Sequence, residues 1–422
     1  MLLIANVLEL NGGTTFVLRV AREFYKRNQK IGVLVLVDKV NAALEQSIRQ
    51  YADIYYLKDF TRRIYGPLAN TPLGVFAPVD FSKIATLLNS YNAHVHVMGV
   101  FGLLFIKRCL DAVEVEVRVS FGIYHQNEMM FDGVPYYFAR KAKELFASLP
   151  AESIVFFNEK NSSSYGAFFG NDYSISTIVP IGIDIPMGTG AEVLGQAESS
   201  RIVSIGNLYA FKSYNRHVIT LLPELKKIRP NLVYEIYGTG EYEPELLALV
   251  SSLQLESSVK FKGSIGYEDI PKVLNGALAF VGSGTAILEA AALGVPAIVG
   301  IESTEQPITY GLLSDINGLS YNELDTAQRT YLMKDVLQSI LDSADKWQCA
   351  AVACKTKSSL FSIERTVDGL MRLETLSMNL SAFKFMKYSN KWAFCSFLMC
   401  AAKQALLGDK TFSSRREQGT LK

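Results

Sequence analysis

The sequence predicts an α/β protein built from two doubly wound, Rossmann-like parallel-sheet domains. Short apolar runs alternate with stretches of helical spacing along most of the 422 residues. That alternation is the pattern of βαβ units, whose strands run parallel with helices on both faces of the sheet. The pattern also stops and restarts: residues 186–200 are rich in Gly, Ala and Ser and lack apolar periodicity, as a linker does. A chain of this length has room for two cores. The expected division is 1–185, a linker at 186–200, a second domain at 201–375, and a tail at 376–422.

In the first half, Leu2 to Ala5 reads as a buried strand. Asn11-Gly-Gly-Thr-Thr15 then opens an amphipathic helix through Phe16, Leu18, Val20, Ala21 and Phe24, and Ile31 to Val37 is a second strand. Gly12 and Gly13 thus fall in a strand-to-helix turn, where open parallel sheets bind ligands. No Gly stands three residues after Gly13, so the dinucleotide fingerprint is incomplete and NAD is not expected. His94 to Met98 and Val115 to Phe121 are further strands. His125 follows the second, in a loop at a strand's carboxyl end, either as a functional group or as a loop His bonded to backbone. His94 and His96 share one strand face, but two His without a third ligand make a weak metal case. Ile154 to Phe157 is a strand, the Ser-rich Asn161 to Ser164 follows, and Ser176 to Asp184 closes the half.

The second half repeats the grammar. Arg201 to Ile205 is a strand, followed by the polar loop Gly206 to Lys212 and a helix from His217 to Ile228. Leu232 to Tyr237 is a strand running into Gly238-Thr-Gly240, and a helix spans Glu243 to Leu253. Val259 to Gly263 is a short strand and Tyr267 to Asn275 a helix. Ala277 to Val281 is a buried strand that enters Gly282-Ser-Gly-Thr-Ala-Ile-Leu-Glu289. The helix there must stop at Gly294-Val-Pro296, before the strand Ala297 to Val299. Gly282 and Gly284 let backbone approach a ligand, and Thr285 sits where a helix would be capped. Free N–H groups at a helix start attract phosphate. Glu289, polar among Ala and Leu, could then hold ribose hydroxyls; the plainer reading is a helix start with one solvent-facing Glu. Beyond Pro307 the pattern weakens, with helices expected within 321–345 and 362–371.

Composition excludes several classes. Hydrophobic residues are 49%, charged residues 20%, and the net charge is +1, so no global field points to nucleic acid. No apolar run approaches the roughly 20 residues of a membrane span. Met1 to Ala5 lacks the basic start of a secretory signal. Cys109, Cys349, Cys354, Cys395 and Cys400 fit neither a zinc cluster nor a disulfide framework. A cytoplasmic chain is expected. The tail mixes Phe383, Phe385, Trp392, Phe397 and Met399 with Lys384, Lys387 and Lys391. It is expected either to dock on the first domain or to lie on an anionic membrane surface. The last residues, 413–422, are polar with clustered Arg and are expected to fray.

Four segments carry a family resemblance: Ile205 to Lys212, Ile236 to Gly240, Val259 to Gly263, and Leu288 to Pro296. Their order resembles that of GT-B glycosyltransferases, most of all the retaining, family-4-like (group 1) enzymes of bacterial surface-polysaccharide pathways. Asn11-Gly-Gly-Thr and Val179 to Asp184 are similar to first-domain signatures of that family. The resemblance implies two Rossmann-like domains facing across a cleft that closes over a nucleotide-diphosphate sugar, UDP-sugars being typical. It implies a sugar or lipid-linked glycan acceptor on the first domain and peripheral contact with the inner face of the cytoplasmic membrane. It implies that Glu289 holds the ribose, that Gly284 and Thr285 receive the phosphates, and that Gly263, Ser264 and Ile265 face the base. Lys212 would neutralise the departing diphosphate without a metal, and no cofactor would be needed. Asn207, Gly238 and Gly240 would line the same site. From the first domain, His125 would lie near the sugar, and Gly12 and Gly13 near the diphosphate or sugar. Two positions depart from the family pattern: Val281 stands where a second acid is usual, and Asn207 where an Arg often is. Two rivals follow, a nucleotide-sugar 2-epimerase on the same fold and a non-catalytic binding homologue.

Overall fold

The computed structural model describes residues 1–9, 12–131, 133–186, 195–325, 327–376, 378–409 and 411–412. The chain forms two compact units. The first takes Met1–Gly182 together with the described residues from Ile363 onward, and the second takes Ile183–Ser362.

The first unit holds a seven-stranded parallel sheet. Its strands are β1 (Leu2–Ala5), β2 (Gly32–Val35), β3 (Asp53–Tyr56), β4 (His94–Met98), β5 (Arg118–Ile123), β6 (Ile154–Phe156) and β7 (Thr177–Ile178). They lie in the order β3-β2-β1-β4-β5-β6-β7. Reversal on either side of β1 is the doubly wound pattern, and it brings the loops after β1, β4 and β5 to one edge. The central strands β1, β2 and β4 are buried on both faces, as a sheet covered by helices requires. Leu2, Ile4, Val95, Val97 and Phe121 enter one core, whereas Leu3, Ala5, Val33 and Val35 enter the other.

Two segments of the chain's end complete these cores. The helix Ile363–Leu373 places Ile363, Val367, Leu370 and Leu373 in the core shared with the helix Gly12–Lys26. Arg27 clamps it through Asp368 at 2.5 Å and the Glu364 carbonyl at 3.2 Å, and Thr366 donates to the Pro180 carbonyl at 2.8 Å. The tail helix Asn390–Leu407 covers the opposite core with Ala393, Phe397 and Cys400. These contacts correct two expected boundaries. The first domain ends at Gly182 rather than residue 185, and the second ends at Ser362 rather than residue 375, because residues 363–373 bury their apolar stripe in the first unit. At about 1.5–3 kcal/mol per buried aliphatic side chain, that stripe decides where the segment belongs. The expected linker falls largely on residues 187–194, which lie outside the described residues, as do Leu10, Asn11 and 413–422.

The second unit holds a five-stranded parallel sheet: β8 (Arg201–Ile205), β9 (Val233–Tyr237), β10 (Val259–Phe261), β11 (Ala279–Gly282) and β12 (Ala297–Val299), in the order β10-β9-β8-β11-β12. Alternate residues again serve two cores: Ile202, Ala279, Val281 and Ile298 on one side, Val203, Phe280, Ala297 and Val299 on the other. The expected helix within 321–345 is shorter than the sequence suggested. Residues 331–332 form β14 (Tyr331–Leu332), antiparallel to β13 (Ile308–Thr309), and the helix is Met333–Asp342. Residues 321–332, ahead of the helix, are spent on loop and on that strand.

Candidate functional site

All five parallel strands of the second unit end on the same edge, and their order sets the following loops side by side. These are residues 206–212 after β8, 238–240 after β9, 262–266 after β10, 283–285 after β11 and 300–304 after β12. The sequence-predicted groups Asn207, Lys212, Gly238, Gly240, Gly263, Ser264, Ile265, Gly284, Thr285 and Glu289 therefore gather at one sheet edge.

Backbone contacts build this edge. Gly206 donates to the Tyr237 carbonyl at 2.9 Å, Leu208 to Thr239 at 3.0 Å and Gly238 to Gly263 at 2.8 Å. A Cβ on Gly238, whose φ is +138°, would stand 2.0 Å from the Gly206 carbonyl oxygen, and one on Gly240 would stand 2.1 Å from that of Leu208. Loop-to-loop packing therefore requires glycine at both positions, independently of the ligand contact expected there. Ser264 shares a 3.2 Å hydroxyl contact with Thr239, and Asn207 is exposed. Lys212 is half-buried, its ammonium 3.1 Å from the place a Cβ on Gly206 would occupy.

The turn after β11 differs in detail from the expected cap. The helix Gly284–Ala292 starts one residue before Thr285, so Thr285 sits inside its first turn and Ser283 is the capping position. The Ser283 side chain makes no cap. It donates to Glu302 at 2.8 Å. The Gly284 amide donates to the Asn322 side-chain oxygen at 2.9 Å, and the Tyr321 hydroxyl to the Gly284 carbonyl at 2.9 Å. Gly284 has φ +67°, which glycine tolerates, and a Cβ there would meet nothing within 4 Å. The turn thus borders open space while its frame is held from behind. Glu289 is 6% exposed and lies within electrostatic reach of Tyr321, so the solvent-facing alternative does not hold.

Glu302 is the residue that sequence reading missed. It follows β12 and sits between the Ser283 hydroxyl and the field of Lys212. Burial pushes its carboxyl above the ordinary carboxylate range, against the pull of Lys212 and the Ser283 hydrogen bond. The loop is pinned on both sides, by Ser303 donating to the Phe211 carbonyl at 2.6 Å and Glu302 to Asn322 at 3.0 Å. Val281, the place without the usual acid, lies wholly in the core. The edge therefore takes its second carboxylate from the loop after β12. The only signal in the sequence was a lone Glu just beyond a short apolar strand.

In the first unit, Gly12 is exposed at the start of the helix Gly12–Lys26, with Gly13 half-buried beside it. His125 is half-buried two residues past β5. Its carbonyl accepts from the Glu128 amide at 2.9 Å, and its Nδ1 takes a long 3.4 Å bond from the Asn127 amide. Both places lie on the carboxyl edge of the seven-stranded sheet, one strand apart in its order. His94 and His96 are wholly buried and converge on the Ser120 hydroxyl at 3.0 and 2.9 Å, while His96 Nε2 meets the Tyr124 hydroxyl at 2.7 Å. Their polar atoms serve the protein's own network. Among the described residues no three or more His, Cys, Asp or Glu side chains are grouped to hold a metal.

Comparison with known proteins agrees with this geometry. The family model "Glycosyl transferases group 1" matches residues 193–304. The chain is 28% identical to a GDP-mannose-dependent monoacylated alpha-(1-6)-phosphatidylinositol monomannoside mannosyltransferase of Corynebacterium glutamicum. That match spans 34% of this chain and 44% of the relative, less than half of it. Among solved structures, Anabaena Alr3699/HepE in complex with UDP and glucose superposes with a TM-score of 0.60 at 14% identity, over 88% of this chain and 97% of that one. A variant of S. aureus TarM, solved with Fondaparinux, alpha-GlcNAc-glycerol and UDP, gives 0.62 at 12% identity, over 89% and 99%. Two parallel-sheet units with these neighbours make the fold GT-B.

Proposed function

We propose, from a second unit that carries a group 1 glycosyltransferase domain on a GT-B framework, that this chain transfers a sugar from a nucleotide-diphosphate donor to a sugar or lipid-linked glycan acceptor. The acceptor belongs to glycoconjugate synthesis at the inner face of the cytoplasmic membrane. The observation that carries the reading is the carboxyl edge of β8 to β12, where a bordered Gly turn, a lysine, the buried Glu289 and the half-buried Glu302 converge. In this reading the start of the helix Gly284–Ala292 faces the diphosphate with its positive end. Glu289 takes the ribose hydroxyls. Breaking the sugar–phosphate bond builds charge on the leaving diphosphate, and Lys212 stabilises it as it forms. Glu302, anchored by Ser283, supplies the carboxylate that Val281 does not, placed to accept hydroxyl hydrogens of the donor sugar. In the first unit, His125, Gly12 and Gly13 are the groups assigned to sugar binding. The donor's base stacks near Gly263 to Ile265. No cofactor is assigned.

Incubation with nucleotide sugars tests this reading against its rivals. Transfer in the presence of acceptor, with donor alone left unconverted, is the expected result. Lys212→Ala is expected to lower transfer at least about a hundredfold while the thermal midpoint holds. Epimerised donor without acceptor would instead mark an epimerase. Donor binding without turnover, across many acceptors, would mark a binding homologue.

A further inference from the structure

The tail helix Asn390–Leu407 has two apolar sides, and the first unit covers only one. Ala393, Ser396, Phe397 and Cys400 are buried, with the Phe397 ring 5.1 Å from those of Phe101 and Phe138. On the other side Trp392, Cys395, Met399, Ala402 and Leu406 are exposed, Trp392 by 68% and Leu406 by 82%. Their spacing of three and four residues makes one continuous helical stripe. Phe385, on the short helix Ser381–Phe385 just before it, is 85% exposed.

Charge along this segment of the chain has one sign. Lys384, Lys387, Lys391 and Lys403 are exposed, and no Asp or Glu occurs from Met378 to Gly408. Of the acids nearby, Asp111 is ion-paired with Lys107 and Asp409 accepts the Tyr136 hydroxyl at 3.0 Å, while the exposed Glu116 lines one cavity with Ser381 and Lys384. Exposed lysines interleaved with exposed Phe385 and Trp392 match the boundary between anionic headgroups and acyl chains. A second copy docked on the same face would set these lysines against each other. No helix among the described residues is long and apolar enough to cross a membrane.

We propose that Ser381–Phe385 and the exposed side of Asn390–Leu407 form a surface that lies on an anionic lipid bilayer, with Trp392, Met399 and Leu406 entering the headgroup boundary. The docking expected for the tail is made by one face of this helix; lipid binding by the other face is the proposal. This deepens the membrane contact named above but rests on no part of the transfer chemistry, because lipid binding needs neither donor nor acceptor.

Tryptophan emission with vesicle sedimentation tests it. Only Trp347 and Trp392 are present, and Trp347 is already dry, 3% exposed with its indole donating to the Leu278 carbonyl at 2.7 Å. A blue shift on adding vesicles therefore reports Trp392. The full chain is expected to sediment with phosphatidylcholine–phosphatidylglycerol vesicles, to shift its emission, and to bind pure phosphatidylcholine at least about tenfold more weakly. Each Lys→Gln change at 384, 387, 391 or 403 is expected to weaken binding about fivefold. The Trp392→Glu/Leu406→Glu double variant should lose sedimentation and keep its thermal midpoint, since both side chains are exposed. Absence of binding to the anionic vesicles would overturn the proposal. So would a stable homodimer that the double variant dissociates, or binding to an acidic polypeptide in place of vesicles. Donor binding measured separately keeps failure here distinct from failure of the transfer reading.

Discussion

Single carboxylates and imidazoles set the chemistry at the smallest scale. Glu302 is held by Ser283 and sits in the field of Lys212, so exchanging it for an isosteric amide removes charge and leaves shape. Glu302→Gln is expected to lower affinity for a nucleotide sugar about tenfold while affinity for the bare nucleoside diphosphate changes less than about threefold. Calorimetric titration of both ligands reads the difference. Equal loss for both would make Glu302 a mere counter-ion of Lys212. His96 bears on stability instead. Burial pushes its pKa down to about 3, against about 6.5 in an unfolded chain. The folded state stays neutral while the unfolded state takes up a proton, so this contribution is present above about pH 6.5 and is lost as pH falls toward 3. At pH 5 the loss is about 2 kcal/mol, and His94 and His217 are shifted in the same direction. Urea unfolding at pH 7 and pH 5 should show a drop of at least that size; a flat profile would contradict the buried network.

At the scale of elements, the helix Ile363–Leu373 carries a prediction of its own. It closes a core that the first 182 residues leave open. Leu370 is fully buried there, so Leu370→Ala should cost about 2–5 kcal/mol in denaturant unfolding. A cost below about 1 kcal/mol would mean that the helix is only loosely attached. Elements also show what the sequence could tell. His94–Met98, Arg201–Ile205 and Ala297–Val299 were legible to the residue, because a buried parallel strand is short, rich in Val and Ile, and bounded by polar loops. The assignment of residues 363–373 was not legible, since an amphipathic stripe states that it must be buried and not against what. β3 and the short turns of 53–80 escaped for a related reason: Asp53–Tyr56 is polar at its edge and carries little periodicity.

At the scale of the whole molecule, two parallel sheets deliver chemistry only through their carboxyl edges, and the sequence showed most of what lies there. Gly284 and Glu289 were visible as a Gly-rich turn with a carboxylate just over one helical turn on. Glu302, Asn322 and Tyr321 were not, because they reach that turn through folding and follow no motif spacing. Gly238 and Gly240 were visible as glycines, yet their reason, backbone against backbone, appears only when neighbouring loops are in place. Calorimetric titration of a panel of nucleoside diphosphates into the wild-type chain and into Glu289→Ala tests the central claim most directly. The account predicts saturable binding of at least one of them to the wild type and affinity at least about tenfold lower in Glu289→Ala. No binding to the wild type, or equal affinity in the two proteins, would contradict it.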